Sequence, residues 1–289
     1  MLRDPPDERT VEDLLGFGVV NLDKPPGPSA HQVSAWVRDL VGVEKAAHAG
    51  TLDPKVTGCL PVLTGAATRL APALLEGTKE YVAVLELHDT PPADLDAIVG
   101  EFEGEIFQKP PRKSAVSRRL RVREIHDLDV LEVRDRQALL HIRCESGTYV
   151  RKLCHDVGLA LGTGAHMGHL RRTATDPFDD RDLATLHDLA DALATYREDG
   201  DADWLRDVVH PGERALVHLP SVTVAPSAAR EVANGAPVYA PGVIDADPAD
   251  QGDLVACYTP NEAAVCLGTM VGDPEADAGT VVDLERVLV

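Results

Sequence analysis

The chain has 289 residues, of which 44% are hydrophobic, and its 28 basic and 48 acidic side chains give a net charge of −20. This length predicts about two domains, and no apolar run approaches the about 20 residues that a membrane-spanning helix requires. Because the N-terminus also lacks the apolar core of a signal peptide, we expect a cytoplasmic protein with no membrane segment.

The acidic excess goes together with few lysines: there are seven, and none follows Lys152. Acid-rich, lysine-poor surfaces are typical of proteins that work in concentrated salt, where the Debye length falls to about 3 Å at 1 M and self-repulsion is screened. The five cysteines form no Cys-x-x-Cys pair, which argues against a zinc site or a redox dithiol. We therefore expect a halophilic protein with reduced, buried thiols.

The first predicted elements are a strand over 17–23 and a helix that ends at residue 41. Ser29 is a favourable N-cap for this helix, and Gly42 follows its last apolar residue as a C-terminal stop. Apolar residues recur at helical spacing and predict the face that packs on the core. That face comprises Ala30, Val33, Trp36, Val37 and Leu40.

The next feature is a short turn that contains one aspartate, Asp53. Gly50 and Gly58 bound the turn and Pro54 stiffens it, because glycine permits unusual backbone angles and proline fixes its own φ. A carboxylate held in this way can point out towards a ligand and act as a nucleophile at a sugar anomeric carbon. The alternative is that Asp-Pro only starts a turn or that Asp53 caps a helix.

Helices and strands alternate through the middle of the chain. The helical patterns cover 66–75, 94–101, 149–161 and 183–196. The strand patterns cover 79–88 and 139–144, and a further strand runs from 170 to near 178. Residues 198–214 are acidic and irregular, which predicts a linker.

Cations are concentrated in residues 109–123, which contain no acid although residues 179–289 carry a net charge of −16. We predict a protruding loop over 108–123, because the segment begins with two prolines and shows little apolar periodicity. Unpaired cations in so acidic a chain indicate a polyanionic partner, most simply nucleic acid. They are Lys109, Arg112, Lys113, Arg118, Arg119, Arg121 and Arg123.

From residue 219 onward, short apolar runs alternate with Gly, Pro, Asn and Asp. Strands are predicted over 222–225, 238–239, 254–258, 264–269 and 281–284. One helical stretch, 227–233, interrupts them. Short strands with closely spaced turns predict a small β-barrel.

Several segments together resemble the TruB/dyskerin family of pseudouridine synthases, and most closely the archaeal dyskerin-type catalytic subunit of box H/ACA ribonucleoproteins. The segments are Asn-Leu-Asp-Lys-Pro-Pro-Gly-Pro-Ser at 21–29, the Asp53 turn, Cys-Glu-Ser-Gly-Thr-Tyr-Val-Arg-Lys-Leu at 144–153, and Leu-Arg-Arg-Thr at 170–173. Residues 235–253 resemble a PUA domain. The resemblance implies an α/β (α+β) fold, with a mixed, largely antiparallel catalytic domain at 1–210 and a C-terminal PUA β-barrel at 219–289.

The resemblance also implies roles for particular residues. Asp53 matches the catalytic aspartate, Tyr81 the tyrosine that stacks on the target base, and Arg151 the basic residue that pairs with the aspartate. The positions that match the nucleotide pocket are His48, Tyr149 and Leu170. We expect Lys109, Arg112, Lys113, Arg118 and Arg119 to bind RNA.

The family's reaction detaches uracil from C1′ and rejoins it through C5, so no cofactor and no metal are expected. The resemblance implies rRNA as substrate, with a box H/ACA guide RNA, and leaves open unguided action on tRNA. The implied protein partners are a small zinc-ribbon protein, a glycine-arginine-rich-type protein and a kink-turn-binding ribosomal-type protein.

Three alternatives compete with a guided enzyme. One is a stand-alone pseudouridine synthase for the T-loop of tRNA. Another is a non-catalytic RNA-binding scaffold, which has no need of the Asp53, Tyr81 and Arg151 set. The third is a carboxylate-dependent glycosidase, which requires a second catalytic carboxylate, and the sequence offers no convincing partner for Asp53.

Overall fold

The computed structural model describes residues 2–110, 117 and 119–289. The helices of this part are α1 Val11–Gly16, α2 Ala30–Val41, α3 Ala71–Leu75, α4 Leu95–Gly100, α5 Val150–Ala160, α6 Leu186–Asp199, α7 Asp203–Val208 and α8 Pro226–Ala233. Its strands are β1 Gly18–Lys24, β2 Ala46–His48, β3 Thr57–Thr64, β4 Lys79–Leu87, β5 Gly104–Gln108, β6 Arg121–Arg134, β7 Gln137–Cys144, β8 Ala165–Thr175, β9 Phe178–Asp179, β10 His210–Pro211, β11 Ser221–Val224, β12 Val238–Tyr239, β13 Val243–Ala246, β14 Leu254–Tyr258, β15 Ala264–Met270 and β16 Thr280–Val287. None of the helices in these residues is both long and apolar enough to cross a membrane.

The larger sheet has ten strands in the order β10-β1-β3-β8-β4-β7-β6-β5, with β2 paired to β3 and β9 to β8. The β3–β8 pair is parallel, whereas the other strand pairs are antiparallel. The predicted mixed, largely antiparallel sheet is therefore confirmed. Helices α2, α6 and α7 pack around one apolar core beside β1 and β3, and α4 and α5 pack around a second beside β4, β6 and β7.

Helix α2 forms for the reasons that its sequence suggests. Ser29 and Gln32 make a reciprocal capping box, and Gly42 ends the helix in the left-handed region at φ 80°. The buried stripe runs along Ala30, Val33 and Val37, but Trp36 is 46% exposed, so its assignment to the core face is wrong. At about 100° per residue, Trp36 lies about 90° from the centre of that stripe.

The second sheet has six strands in the order β12-β16-β15-β14-β11-β13. The β11–β14 pair is parallel and α8 packs on an apolar core shared with these strands. This is the small barrel-like sheet that the C-terminal pattern predicts. The pattern missed β13, a four-residue strand at the edge of the sheet with mostly unburied residues, because apolar alternation marks strands only where one face is buried.

The predicted linker over 198–214 is wrong, since this segment folds and packs between the two sheets. It contains α7, then β10 paired to β1, then a 3-10 helix Gly212–Leu216. Glu213 of that turn is buried and accepts hydrogen bonds from the Arg9 guanidinium at 2.6 and 2.8 Å. The same carboxylate accepts the backbone N–H of Ala264 on β15. The local composition of residues 198–214 does not reveal this packing, because Arg9 lies 204 positions away from Glu213 in the chain.

The N-terminal segment ties both sheets together. Arg3 donates to the carbonyl of Leu288 at 2.7 Å, and its guanidinium lies 4.0 Å from the centre of the Phe17 ring. Phe17 belongs to an apolar cluster that also contains Leu267 from β15 and Leu216 from the 3-10 helix, which lies in the junction between the sheets formed by residues 198–216. The two sheets therefore share a buried core in addition to the ion pair.

The basic segment is only partly the loop that the sequence predicts. Arg112, Lys113 and Arg118 fall outside the described residues. Arg121 and Arg123 lie in β6, paired with β5, and Arg123 forms an ion pair with Glu145 at 3.1 Å. Their placement in a loop was wrong because alternating arginines hid the strand pattern. Lys109 and Arg119 are described and exposed.

We predict that replacing Arg9 with Met destabilises the protein by about 3–5 kcal/mol, because Glu213 is then left buried without its cation. The measurement is urea unfolding at constant molar salt. The control is Arg38→Met, whose exposed pair with Asp39 should contribute less than about 1 kcal/mol. Equal losses in the two variants would contradict the assignment of the Arg9–Glu213 pair as a junction between the sheets.

Candidate active site

Asp53 lies in the loop between β2 and β3, and a buried lysine holds the backbone of that loop. The ammonium of Lys24 is fully buried and donates to the carbonyls of Pro25, Pro54 and Val56 at 2.9, 3.1 and 2.8 Å. Desolvation lowers the pKa of Lys24. The Val56 N–H closes the turn on the Asp53 carbonyl at 3.0 Å. The turn is thereby fixed while the Asp53 carboxylate remains half-exposed.

Glycine is required where this loop enters β3. Gly58 has φ 97°, and a Cβ there would lie 2.2 Å from the carbonyl oxygen of Arg172. A side chain is therefore excluded both by the backbone conformation and by the neighbouring strand. Gly50 also has positive φ, 91°. Both glycines that bound the turn in the sequence therefore adopt backbone angles that favour glycine.

Arg151 forms an ion pair with Asp53. It projects from the first turn of α5, and both side chains are about half exposed. A guanidinium in contact with a carboxylate stabilises the charged form and fixes the orientation of its oxygens. The structure therefore brings together two residues that are 98 positions apart in the numbering.

The start of α5 is itself fixed to the end of β5. The buried Gln108 accepts the backbone N–H of Tyr149 at 2.8 Å and donates to the Tyr149 carbonyl at 3.2 Å. Tyr149 is the N-cap residue of α5. These two bonds position Arg151 relative to the β5–β6 hairpin.

Tyr81 lies on β4, opposite Ile142 of β7 and Arg172 of β8. Its ring packs against both apolar cores of the larger sheet, as does Leu170. Burial raises the pKa of the Tyr81 hydroxyl, and the positive charge of Arg172 partly offsets that rise. The site therefore sits at the boundary between the two cores.

Arg172 connects the main parts of the site. Its side chain is 1% exposed, and it donates to the Cys59 carbonyl at 2.7 Å and to the Ala49 carbonyl at 3.5 Å. It thereby joins β3 to the loop before Asp53, and it lies opposite Tyr81 on the neighbouring strand β4. Arg172 belongs to the Leu-Arg-Arg-Thr motif at 170–173, but its role is not visible in the sequence, because alternation along a strand does not show which of two adjacent arginines is buried.

Lys79 is a third buried cation at this site, and its role is not visible in the sequence. Its ammonium donates to the carbonyls of Leu74 and Gly77 at 3.0 and 2.6 Å. Desolvation, and then the charge of Arg172, lower the pKa of Lys79 to about 8. Lys79 lines the same cavity as Asp53, and so does Arg172, so two buried cations border this cavity.

The cavity has a volume of about 650 Å³, which is within the usual range for small-ligand sites. Five of the six residues predicted for catalysis and substrate binding line it, namely Asp53, Tyr81, Tyr149, Arg151 and Leu170. The structure does not place His48 in the lining. His48 is half-buried on β2, opposite Val62, and desolvation lowers its pKa.

Among the described residues that line the cavity, Asp53 is the one carboxylate. A paired-carboxylate glycosidase mechanism needs a second acid across the bond that is cleaved, and this lining does not supply it. The arrangement instead provides one oriented carboxylate, one contacting cation and an aromatic ring with apolar neighbours. It fits chemistry at a single carbon beside a flat, stackable group.

Family models cover almost the whole chain. Residues 38–150 match the N-terminal domain of TruB family pseudouridylate synthases, and residues 151–217 match the C-terminal domain of tRNA pseudouridylate synthase B. Residues 4–34 match the DKCLD domain and residues 220–288 the PUA domain.

Relatives and solved structures agree with these matches. Proteins named "Probable tRNA pseudouridine synthase B" are 71% identical in Halobacterium salinarum, over 100% of this chain and 99% of the relative, and 65% identical in Haloarcula marismortui, over 100% and 94%. A crystal structure of a Cbf5-Nop10-Gar1 complex matches with a TM-score of 0.94 at 45% identity, over 100% of this chain and 90% of the other. An H/ACA ribonucleoprotein bound to a substrate RNA containing 2′-deoxyuridine matches with a TM-score of 0.93 at 43% identity, over 100% and 90%. The chain belongs to the TruB family of pseudouridine synthases, and it is an RNA isomerase with a DKCLD and a PUA domain.

Proposed function

We propose that this enzyme draws a uridine out of its RNA into the cavity beside Asp53 and isomerises it there. The observation that carries the proposal is the Asp53–Arg151 ion pair at a cavity walled by Tyr81 and Leu170. In the reaction the bond between C1′ and N1 breaks and a bond between C1′ and C5 forms. C5 loses a proton and N1 gains one, so the atoms balance without a cofactor.

In this proposal Asp53 acts at C1′, either as a nucleophile or by stabilising positive charge on the sugar. Both roles require the ionised carboxylate. Arg151 favours that form and occupies one carboxylate oxygen, which leaves the other to face the sugar. The lysine-held turn around Asp53 keeps the carboxylate in position as the base departs.

Tyr81 receives the base. Removing a base from its stack costs a few kcal/mol, and stacking on an aromatic ring returns about 1–3 kcal/mol. Tyr149 and Leu170 complete the wall around uracil. His48 lies outside the lining, five positions before Asp53, and we assign it to RNA contact beside the cavity rather than to the base itself.

For the substrate, we propose rRNA uridines selected by a box H/ACA guide RNA. Support comes from the similarity, over all of this chain, to Cbf5 in complexes with Nop10 and Gar1 and to an H/ACA ribonucleoprotein bound to substrate RNA. We further propose that small partner proteins of these kinds and a kink-turn-binding ribosomal-type protein bind this chain, and that the complex acts in the cytoplasm. Unguided action on tRNA is the second candidate, favoured by the names of the sequence relatives.

RNA binding by so acidic a protein is proposed to depend on geometry more than on net charge. Counterion release supplies little affinity in concentrated salt, so stacking, hydrogen bonds and shape must supply it. We assign RNA contact to the exposed Lys109 and Arg119 and, from the sequence, to Arg112, Lys113 and Arg118. The relatives from Halobacterium and Haloarcula agree with the high-salt composition.

We predict that Asp53→Asn lowers the single-turnover rate of pseudouridine formation to less than about one-thousandth, because the amide neither attacks nor stabilises a cationic sugar. The readout is tritium release from C5-labelled uridine at molar salt. Asp96→Asn, an exposed carboxylate on α4, is the matched control and should keep full activity. Activity of Asp53→Asn equal to wild type would remove Asp53 from the mechanism.

We predict that product forms on an rRNA target only when guide RNA and partner proteins are present. The same preparation is given a tRNA T-loop substrate without them. Product on the tRNA alone, and none on the guided target, would replace the guided proposal with the stand-alone one.

We predict that Arg172→Lys lowers kcat about 10- to 100-fold with a smaller change in KM, because a lysine cannot reproduce the two guanidinium bonds to the Cys59 and Ala49 carbonyls and the catalytic groups shift. Arg171→Lys is the matched control, since the neighbouring Arg171 is part-exposed and pairs with Asp23 and Asp180 at the surface. A purely structural role for Arg172 would lower unfolding stability and leave kcat of the folded fraction unchanged.

A further inference from the structure

A second groove adjoins the cavity that contains Asp53. It has a volume of about 610 Å³ and shares Arg151 and Met167 with the first cavity. Its remaining lining residues are Lys109, Pro110, Lys152, His155, Ala165 and His166. A polymer with one unit in the cavity would therefore place a neighbouring unit in this groove.

The titratable side chains that line this groove among the described residues are all basic, although the chain as a whole carries −20. Two of these cations already have acidic partners, since Arg151 pairs with Asp53 and Lys152 with Asp156. The exposed Lys109 forms no ion pair among the described residues. The groove thus retains basic groups that the protein itself does not neutralise.

Three elements bring these groups together. Residues 151, 152 and 155 lie on one flank of α5, because positions three and four apart on a helix are neighbours. His166 comes from the start of β8, which packs against α5. Lys109 directly follows Gln108, whose two hydrogen bonds with Tyr149 fix the end of β5 to the start of α5.

His166 is held by a second histidine. Its Nδ1 lies 3.0 Å from Nε2 of His88, and the His88 backbone N–H donates to the Gly164 carbonyl at 3.0 Å. This contact uses Nδ1 of His166 and leaves Nε2 as the ring nitrogen available to a ligand. His155 is exposed on the helix side of the groove.

We propose that this groove binds a phosphodiester of the RNA strand next to the nucleotide whose base enters the cavity. The inference rests on the proposed function, because it takes the cavity as the uridine site. A phosphodiester is anionic and accepts several hydrogen bonds, which matches an ammonium and imidazole nitrogens at one edge of the site. These short-range bonds persist in concentrated salt, where long-range attraction is screened.

The test combines protein variants with neutral linkages in the RNA. The double variant Lys109→Met/His155→Gln is compared with Lys45→Met/His187→Gln, which removes an exposed lysine and an exposed histidine outside the groove. Each is assembled with guide RNA and partner proteins at molar salt. The target RNA carries a single methylphosphonate at successive linkages on either side of the uridine, and the dissociation constant and single-turnover rate are measured for each.

We expect the groove variant to weaken binding about tenfold and the control variant to leave it unchanged. We also expect one linkage within two nucleotides of the uridine at which the methylphosphonate weakens binding to wild type but adds no further loss in the groove variant. Additive losses at every linkage would overturn the proposal. Loss of partner-protein assembly in the groove variant, without coupling to any linkage, would show instead that an acidic protein segment occupies the groove.

Failure of the groove and failure of the proposed function give different results. The scan is run on whichever RNA the wild type converts, guided target or tRNA. Pseudouridine formation without linkage coupling overturns the groove alone. No pseudouridine formation on either RNA overturns the proposed function, and the groove proposal is then rejected with it.

Discussion

The candidate site depends on one buried guanidinium, that of Arg172. Its bonds to the Cys59 and Ala49 carbonyls hold β3 to the loop that leads to Asp53, and its backbone pairs with that of Tyr81, which lines the cavity. A charge so deeply buried is tolerated only when its donors are satisfied. One of these carbonyls belongs to Cys59 on β3, which pairs in parallel with β8, the strand that carries Arg172. The order of the strands therefore positions the guanidinium that holds the site together.

Buried cations recur elsewhere in this acidic protein. Arg9, Lys24, Lys79 and Arg172 are all nearly or fully buried. Three of them bond mainly to backbone carbonyls near the cavity, and Arg9 pairs with Glu213 between the sheets. Salt screens exposed charges far more than buried ones. The acidic surface is thus compatible with buried cations. Concentrated salt, which the composition indicates, screens the buried cations that shape the site much less than it screens the surface charges.

The junction between the sheets joins the catalytic domain to the C-terminal domain through buried contacts. The Arg9–Glu213 pair, the Ala264 N–H on the same carboxylate and the shared apolar cluster are all buried. A PUA-type barrel fixed to a catalytic sheet in this way presents two surfaces at a set separation.

Local signals in the sequence determined much of this protein. Caps and apolar spacing located α2, the β4 strand and the helix that carries Arg151, and the Asp53 turn was visible in its glycines and proline, because these features depend on neighbouring residues. The tertiary structure alone decided which arginine of the 171–172 pair is buried, that Trp36 faces outward, that 198–214 is a packed junction and that Lys24 holds the Asp53 turn. Three of these depend on a partner far away in the chain: Arg9 for Glu213, Cys59 for Arg172, and Val56 for Lys24. Local periodicity carries no information about such pairings, since they arise only when the strands are brought into register.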